Sequence, residues 1–181
     1  MAGLKAVGDF ELVKAEMITS SGMVIDLSAS ILNITIFEDT TMTAVSGDIL
    51  IQDSFALTSL GPIIGQEYLK LKIQTPTLTH EEEIIDFTEN VFIINSLESR
   101  VQVGNNVQVY LLNFTSSELV SNQRTKVSRS LKGSYSDIVK IMLNEVNCKK
   151  KVYIEPTSGI KRIVAPNVRP FDIIKMATKC V

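Results

Sequence analysis

The fold of this chain is most restricted by a two-residue alternation of apolar and polar side chains, which recurs over its first two thirds. In residues 69–74, Leu69, Leu71 and Ile73 alternate with polar side chains. Successive side chains of a β-strand point to opposite faces, so this pattern predicts a strand with one buried and one solvated face. Further strands are predicted at residues 30–38, 47–53, 83–99 and 105–114.

Clusters of turn-forming residues separate these strands, among them GPIIG at 61–65 and VGNN at 103–106. Such residues favour turns because they tolerate or preset the required backbone angles. The alternation assigns Leu32 to the buried face of its strand. It slips within residues 83–99 near 88–90, where we expect a bulge or bend. Several short antiparallel strands at this spacing favour a barrel or a sandwich.

Beyond residue 115 the apolar spacing becomes helical. Ser134 and Ser136 stand as the N-cap candidates of one helix, and Pro170 is predicted as the first residue of the last one. Between them, residues 149–155 and 160–166 are predicted as two short strands joined by the turn PTSG. The last helix reaches the end of the chain without a C-cap glycine, so we expect this region to be an incomplete domain.

The charges divide the chain at the same place. Residues 1–117 hold 5 Lys and Arg against 15 Asp and Glu, a net charge of −10, whereas residues 118–181 hold 13 against 5, a net charge of +8. We therefore predict a mainly β, overall α+β chain, with an antiparallel β domain at 1–117 and a small α/β domain at 118–181. No apolar run approaches the roughly 20 residues of a membrane helix, so we expect a soluble protein without membrane insertion.

The residues needed for common catalytic sites are scarce. His80 is the one histidine, which excludes any multi-histidine zinc site because one imidazole cannot supply several ligands. The spacing of the glycines matches neither of the two phosphate-binding motifs, GxxxxGK[ST] and GxGxxG. Glu81, Glu82, Glu83 and Asp86 are predicted to form a solvated acidic face, because neighbouring side chains of an extended chain point apart. We predict no enzyme and no cofactor, and a hydrolase that uses these four carboxylates is a distant alternative.

Basic residues are concentrated in the second domain. Lys149, Lys150, Lys151, Arg162 and Arg169 are predicted to form a partner-binding basic face. Such an excess of charge suits phosphate or an acidic protein surface. Aromatic side chains for base stacking are few, which disfavours single-stranded nucleic acid. An acidic protein surface and plain solvated charge remain open.

Four stretches together resemble the baseplate hub proteins of contractile-tailed phages of the T4 type. They occur in the order of that family and cover most of the chain. Two features depart from it, since Val168 stands where an aromatic residue is frequent, and hub proteins usually continue beyond this length. The four stretches are residues 32–54, 60–76, 124–143 and 152–174.

The resemblance implies an antiparallel tube-type β-barrel, a domain shared by tail-tube proteins, hub proteins and the spike proteins of type VI secretion. It implies a structural virion component in the tail baseplate, assembled in the host cytoplasm. Three hub subunits would form a ring that adapts the sixfold tail tube to the threefold spike. The implied partners are two further copies of the chain, the central spike protein, the tail tube protein and other baseplate proteins. A spike or adaptor subunit of a type VI-like apparatus is the alternative.

The charge division suits this role. DNA and the tape-measure protein pass through the lumen of a tail tube, and acidic walls repel phosphate within a Debye length of roughly 8 Å. The acidic face at Glu81, Glu82, Glu83 and Asp86 is the candidate lumen surface. The basic face would then contact acidic neighbouring subunits or the spike.

Overall fold

The structure, a computed structural model, describes residues 10–57, 63–75 and 84–179. The chain is mainly β and separates into two compact units, Met1–Ser116 and Ser117–Val181. We call them unit 1 and unit 2. The change from alternating to helical apolar spacing in the sequence lies at this division.

Unit 1 is built on one antiparallel sheet, whose strands follow the order β2-β1-β5-β7-β8-β4-β3, with β6 pairing with β5. All of its strand pairs are antiparallel, as the alternation predicted. The strands are β1 (Glu11–Ile18), β2 (Val24–Asp26), β3 (Ile31–Phe37), β4 (Ser46–Asp53), β5 (Tyr68–Gln74), β6 (Ile84–Asp86), β7 (Phe92–Gln102) and β8 (Gln108–Ser116).

The core of unit 1 lies on one face of this sheet. Leu69 and Leu71 are fully buried, which confirms the buried face predicted for β5, and Ile73 is half-buried. Alternating residues of the neighbouring strands complete the core, because the two-residue period brings every second side chain to one face. Its largest fully buried side chains include those of Phe92, Ile94, Tyr110, Leu112, Phe114, Ile49, Ile51, Met17 and Leu27.

Two local expectations are corrected or refined by the register. Leu32 was expected to be buried, but its side chain is 55% exposed, because the pairing of β3 with β4 shifts between Ile31 and Asn33. A shift of this kind turns the side chain at the bulge to the other face. The segment 83–99 contains two strands, β6 and β7, and the break between them includes residues 88–90, where the alternation slips.

The two ends of the sheet meet at a short turn. Strands β2 and β3 are consecutive in the chain, and only residues 27–30 separate them. The Leu27 N–H donates to the Ala15 carbonyl of β1 at 2.9 Å, and the Ser30 carbonyl accepts from the Gln52 N–H of β4 at 2.8 Å. This turn is therefore hydrogen-bonded to both ends of the sheet. Within the described ranges β2 and β3 do not pair with each other, so a closed ring of strand pairs is not formed by these residues.

Unit 2 combines a two-stranded antiparallel sheet with three described helices: α1 (Ser117–Arg124), β9 (Val127–Gly133), α2 (Tyr135–Glu145), β10 (Lys161–Val168) and α3 (Pro170–Thr178). Of the two N-cap candidates, Ser134 is the N-cap and Ser136 lies inside α2, since the Ser134 hydroxyl accepts from the Asp137 N–H and the Asp137 carboxylate accepts from the Ser134 N–H. The buried apolar cluster of unit 2 includes Leu131, Ile138, Met142 and Ile173. Over the described part of the chain, no helix is long and apolar enough to cross a bilayer.

The hairpin predicted within unit 2 is wrong. Residues 151–155 are not in a strand, and β10 pairs with β9. The pairing places Leu131 of β9 directly opposite Ile163 of β10, and both belong to the apolar cluster of unit 2. A cross-strand apolar pair of this kind stabilises a sheet through packing with distant residues, which the local turn residues PTSG do not reveal.

Candidate functional site

Asp86, from the predicted acidic face, is the last residue of β6 and is held by two neighbours. Its carboxylate accepts hydrogen bonds from the Thr88 N–H at 2.9 Å and from the Thr88 hydroxyl at 2.6 Å. The Lys72 ammonium of β5 lies 3.1 Å away in an ion pair. These donors, with the Thr88 hydroxyl first, lower the pKa of Asp86 from 3.8 to about 2. The group is therefore an anion at neutral pH.

A carboxyl group with so low a pKa donates a proton poorly, because a general acid works best when its pKa is near the working pH. The geometry thus gives Asp86 a fixed negative charge. Glu81, Glu82, Glu83 and His80 lie outside the described residues. Within the described ranges, no three side chains of His, Cys, Asp or Glu are grouped so that they could hold a metal ion.

The predicted basic face is divided among several elements of unit 2. Lys149, Lys150 and Lys151 follow α2 in the connection to β10. The Lys150 ammonium lies 3.0 Å from the Glu118 carboxylate of α1, whose side chain is only 10% exposed. Lys150 therefore neutralises a nearly buried acid of its own unit. Lys149 and Lys151 are exposed.

Arg169 is the N-cap residue of α3, and its side chain makes no capping hydrogen bond. The buried Asn122 of α1 supplies an acceptor there, since its Oδ1 accepts from the Phe171 N–H at 2.8 Å. A cation near the positive end of the helix dipole adds no stability. The exposed Arg169 guanidinium is thus available for an external contact, while Asn122 fastens the helix.

Arg162 lies on β10 directly opposite Lys132 of β9. Neither side chain has an ion-pair partner within the described ranges. Two cations directly opposite each other on a sheet repel. We call the solvent side of this sheet the basic sheet face, and its exposed residues are Ser128, Ser130, Lys132, Arg162, Val164 and Pro166.

The other side of the same sheet is compensated and packed. Arg129 forms an ion pair with Glu145 of α2, and Leu131 and Ala165 are buried. β9 and β10 themselves contain no acidic residue. On the solvent side both cations, Lys132 and Arg162, lack an ion-pair partner within the described ranges, whereas the other side has one such cation, Lys161.

An open groove of about 780 Å³ lies in unit 2. The chain segment 153–158, α2 and α3 line it, together with Lys161, whose ammonium lies 6.0 Å from the centre of the Tyr135 ring. The Thr157 Oγ1 in the groove accepts a hydrogen bond from the Ser136 N–H at 3.0 Å. This bond ties the segment 153–158 to the start of α2.

No protein-family model matches this chain, and a search of curated proteins finds no match. The structure itself brings out one pair that sequence reasoning did not join. Lys132 and Arg162 lie thirty positions apart, and only the register of β9 with β10 places them together. The sequence signal that could have indicated strand β9 is the alternation of apolar and polar side chains in residues 127–133, as in the strands of unit 1.

Proposed function

We propose that this chain is a structural component of a phage tail baseplate hub, in which copies form a ring that adapts the tail tube to the central spike. The proposal begins from the resemblance of the sequence to hub proteins. The observation that carries it is the turn at residues 27–30, which is hydrogen-bonded to β1 at one end of the sheet and to β4 at the other.

This turn supports a tube-type barrel. The sheet order runs from β2 through β1, β5, β7, β8 and β4 to β3, and β2 and β3 are the two ends. Since the turn joins those ends directly, one short segment would bring the two edges of the proposed barrel together. Within one continuous segment, residues 24–37, β2 pairs with β1 and β3 pairs with β4. Such a curled wall has a packed interior and a solvated exterior that is free for contacts with neighbours.

The charges of the two units support the same role. Unit 1 belongs to the acidic part of the chain, and Asp86 keeps its negative charge at every physiological pH because its pKa is about 2. Since Asp86 is paired with Lys72, the repulsion of DNA phosphates from a lumen wall would come from the excess of carboxylates over the whole of residues 1–117. The function proposed here depends on contact geometry and charge, with the spike, the tail tube and two further copies of the chain as partners.

Light scattering on the purified chain tests this proposal, with electron microscopy of the same sample. A trimer has three times the 20.0 kDa mass of one chain, and a ring-shaped projection is expected in the images. A monomer at the highest attainable concentration would contradict the ring. Co-purification with a tail tube protein or a spike protein from the same phage is the second readout.

A further inference from the structure

We propose that the basic sheet face of unit 2 binds the β3–β4 connection of unit 1 in a second copy of the chain. The β3–β4 connection comprises residues 38–45, which follow Phe37. This inference rests on the ring proposed above and names the contact that builds it. It joins two unlike surfaces of identical chains, and such a contact closes into a ring when its rotation is a simple fraction of a turn.

The first support is the uncompensated charge of the basic sheet face. Lys132 and Arg162 oppose each other directly, which costs stability in the isolated chain. Two other cations of unit 2 are neutralised within the unit, Arg129 by Glu145 and Lys150 by Glu118. A bound acidic partner would turn the repulsion between Lys132 and Arg162 into attraction by placing carboxylates between them.

The second support is the apolar part of the same face. The Val164 side chain is 65% exposed and stands next to Pro166 on the solvent side of the sheet. The six residues of the face include no aromatic ring, so base stacking is not available and single-stranded nucleic acid is a poor fit. A surface that combines two cations with exposed apolar groups fits a protein partner with carboxylates beside apolar side chains.

The β3–β4 connection has this complementary chemistry. Glu38 and Asp39 are adjacent and exposed. They lie between two exposed apolar side chains, Phe37 at 48% and Met42 at 55%. The Thr41 N–H donates to the Asp39 carboxylate at 2.6 Å, and the Thr41 hydroxyl donates to it as well, which lowers the pKa of Asp39 and keeps the group ionised. Residues 37–42 are all exposed, so the connection is reachable by another molecule.

The third support is the overall charge of the two regions. Residues 118–181 carry a net charge of +8 and residues 1–117 a net charge of −10, so the second region of one copy attracts the first region of another. Contacts between two like regions would be repelled. The charge distribution thus favours the head-to-tail arrangement over a symmetric contact between identical surfaces.

Charge reversal tests the contact. Lys132→Glu with Arg162→Glu keeps two like charges opposite each other on the sheet, so it preserves the local repulsion while reversing the sign of the face. Glu38→Lys with Asp39→Lys reverses the other side. By light scattering, each double variant is expected to associate at least about tenfold more weakly than the unmodified chain. The chain with all four changes is expected to recover the association of the unmodified chain. An equimolar mixture of the two double variants is expected to recover association in pairs, because a three-membered head-to-tail ring of two alternating variants always retains one mismatched contact.

A control of equal charge is Lys140→Glu with Lys175→Glu, two exposed lysines on α2 and α3. Its association should match that of the unmodified chain, and circular dichroism should show every variant folded. Equal weakening in this control, or no recovery in the mixture, overturns the contact. If the unmodified chain forms the ring and neither reversal weakens it, the contact is wrong and the ring stands. A monomeric unmodified chain overturns both.

Discussion

Phe114 of β8 lies directly opposite Gly47 of β4, and its aromatic ring occupies the space that a side chain at Gly47 would need. The backbone carbonyl oxygen of Thr35 on β3 also lies within the space that a Cβ atom at Gly47 would need. Gly47 is therefore a position where three strands approach too closely for any Cβ atom. The absence of a side chain is what allows the Phe114 ring to be fully buried there.

We expect Gly47→Ala to lower the free energy of unfolding by about 1–3 kcal/mol or more, because the new methyl group collides with a backbone atom that cannot move without disturbing β3. Urea unfolding measures the loss. Gly104→Ala is the matched control, since its added Cβ would meet nothing closer than the Val107 Cβ at 3.9 Å. Equal losses in the two variants would mean that the close approach at Gly47 does not determine stability.

The strands that the sequence predicted best are those whose alternation is complete. β4, β5 and β8 were found because burial on one face is a local, two-residue property. The pairing of β10 with β9 was missed, since it depends on the packing of Leu131 and Ile163 against helices far along the chain. The exposed Leu32 was missed for a related reason, because a bulge is decided by the partner strand.

Residues 63–67, which precede β5, are organised by a residue that the sequence did not single out. The fully buried Glu67 accepts hydrogen bonds from the backbone N–H groups of Ile64, Gly65 and Gln66, at 2.9 to 3.1 Å. Gly65 takes a positive φ of 84°, which glycine adopts without strain. A polar residue at the end of an apolar loop gives no periodic signal, so its role is seen only when the donors around it are known.

Glu67→Gln is expected to cost about 1–3 kcal/mol, because the amide offers one acceptor oxygen where the carboxylate offers two, and its NH₂ group faces backbone donors. Thermal unfolding and amide hydrogen exchange of Gly65 are the measurements. Glu89→Gln, at an exposed position, should leave the stability within about 0.5 kcal/mol. Unchanged protection at Gly65 in the Glu67 variant would refute the assigned role.

The candidate site shows the same division between local and distant information. Sequence composition identified the excess of positive charge, which is a sum over residues and needs no fold. It did not identify which cations lack a counter-ion, because Lys150 is neutralised by Glu118 and Arg162 is placed opposite Lys132 only by tertiary structure. A charge pattern in a sequence therefore predicts the kind of partner better than it predicts which residues contact that partner.

Asp86 gives a prediction for pH. Its folded-state pKa of about 2 lies below the ordinary 3.8, so its contribution to stability is complete above 3.8 and is lost as the pH falls toward 2. Urea unfolding between pH 5 and about 2 should show an acid-dependent loss that is smaller in Asp86→Asn, since Asp26, Asp39 and Asp137 also have lowered pKa values. By carboxyl NMR titration, Thr88→Val should raise the pKa of Asp86 more than Lys72→Met does, since the Thr88 hydroxyl is the larger cause. The reverse order would assign the shift to the ion pair.

Asn122 gives the last prediction, because it joins α1 to the start of α3. Its buried side chain accepts the hydrogen bond of the Phe171 N–H, which has no acceptor from the N-cap residue Arg169. Asn122→Ala leaves that N–H buried without a partner and should lower the free energy of unfolding by about 1–3 kcal/mol. Asn144→Ala, at an exposed position of α2, should be neutral or slightly stabilising, since alanine favours helix more than asparagine does. Faster amide exchange confined to α3 in the Asn122 variant is the distinguishing measurement, and exchange that rises equally in α2 would contradict a specific fastening of α3.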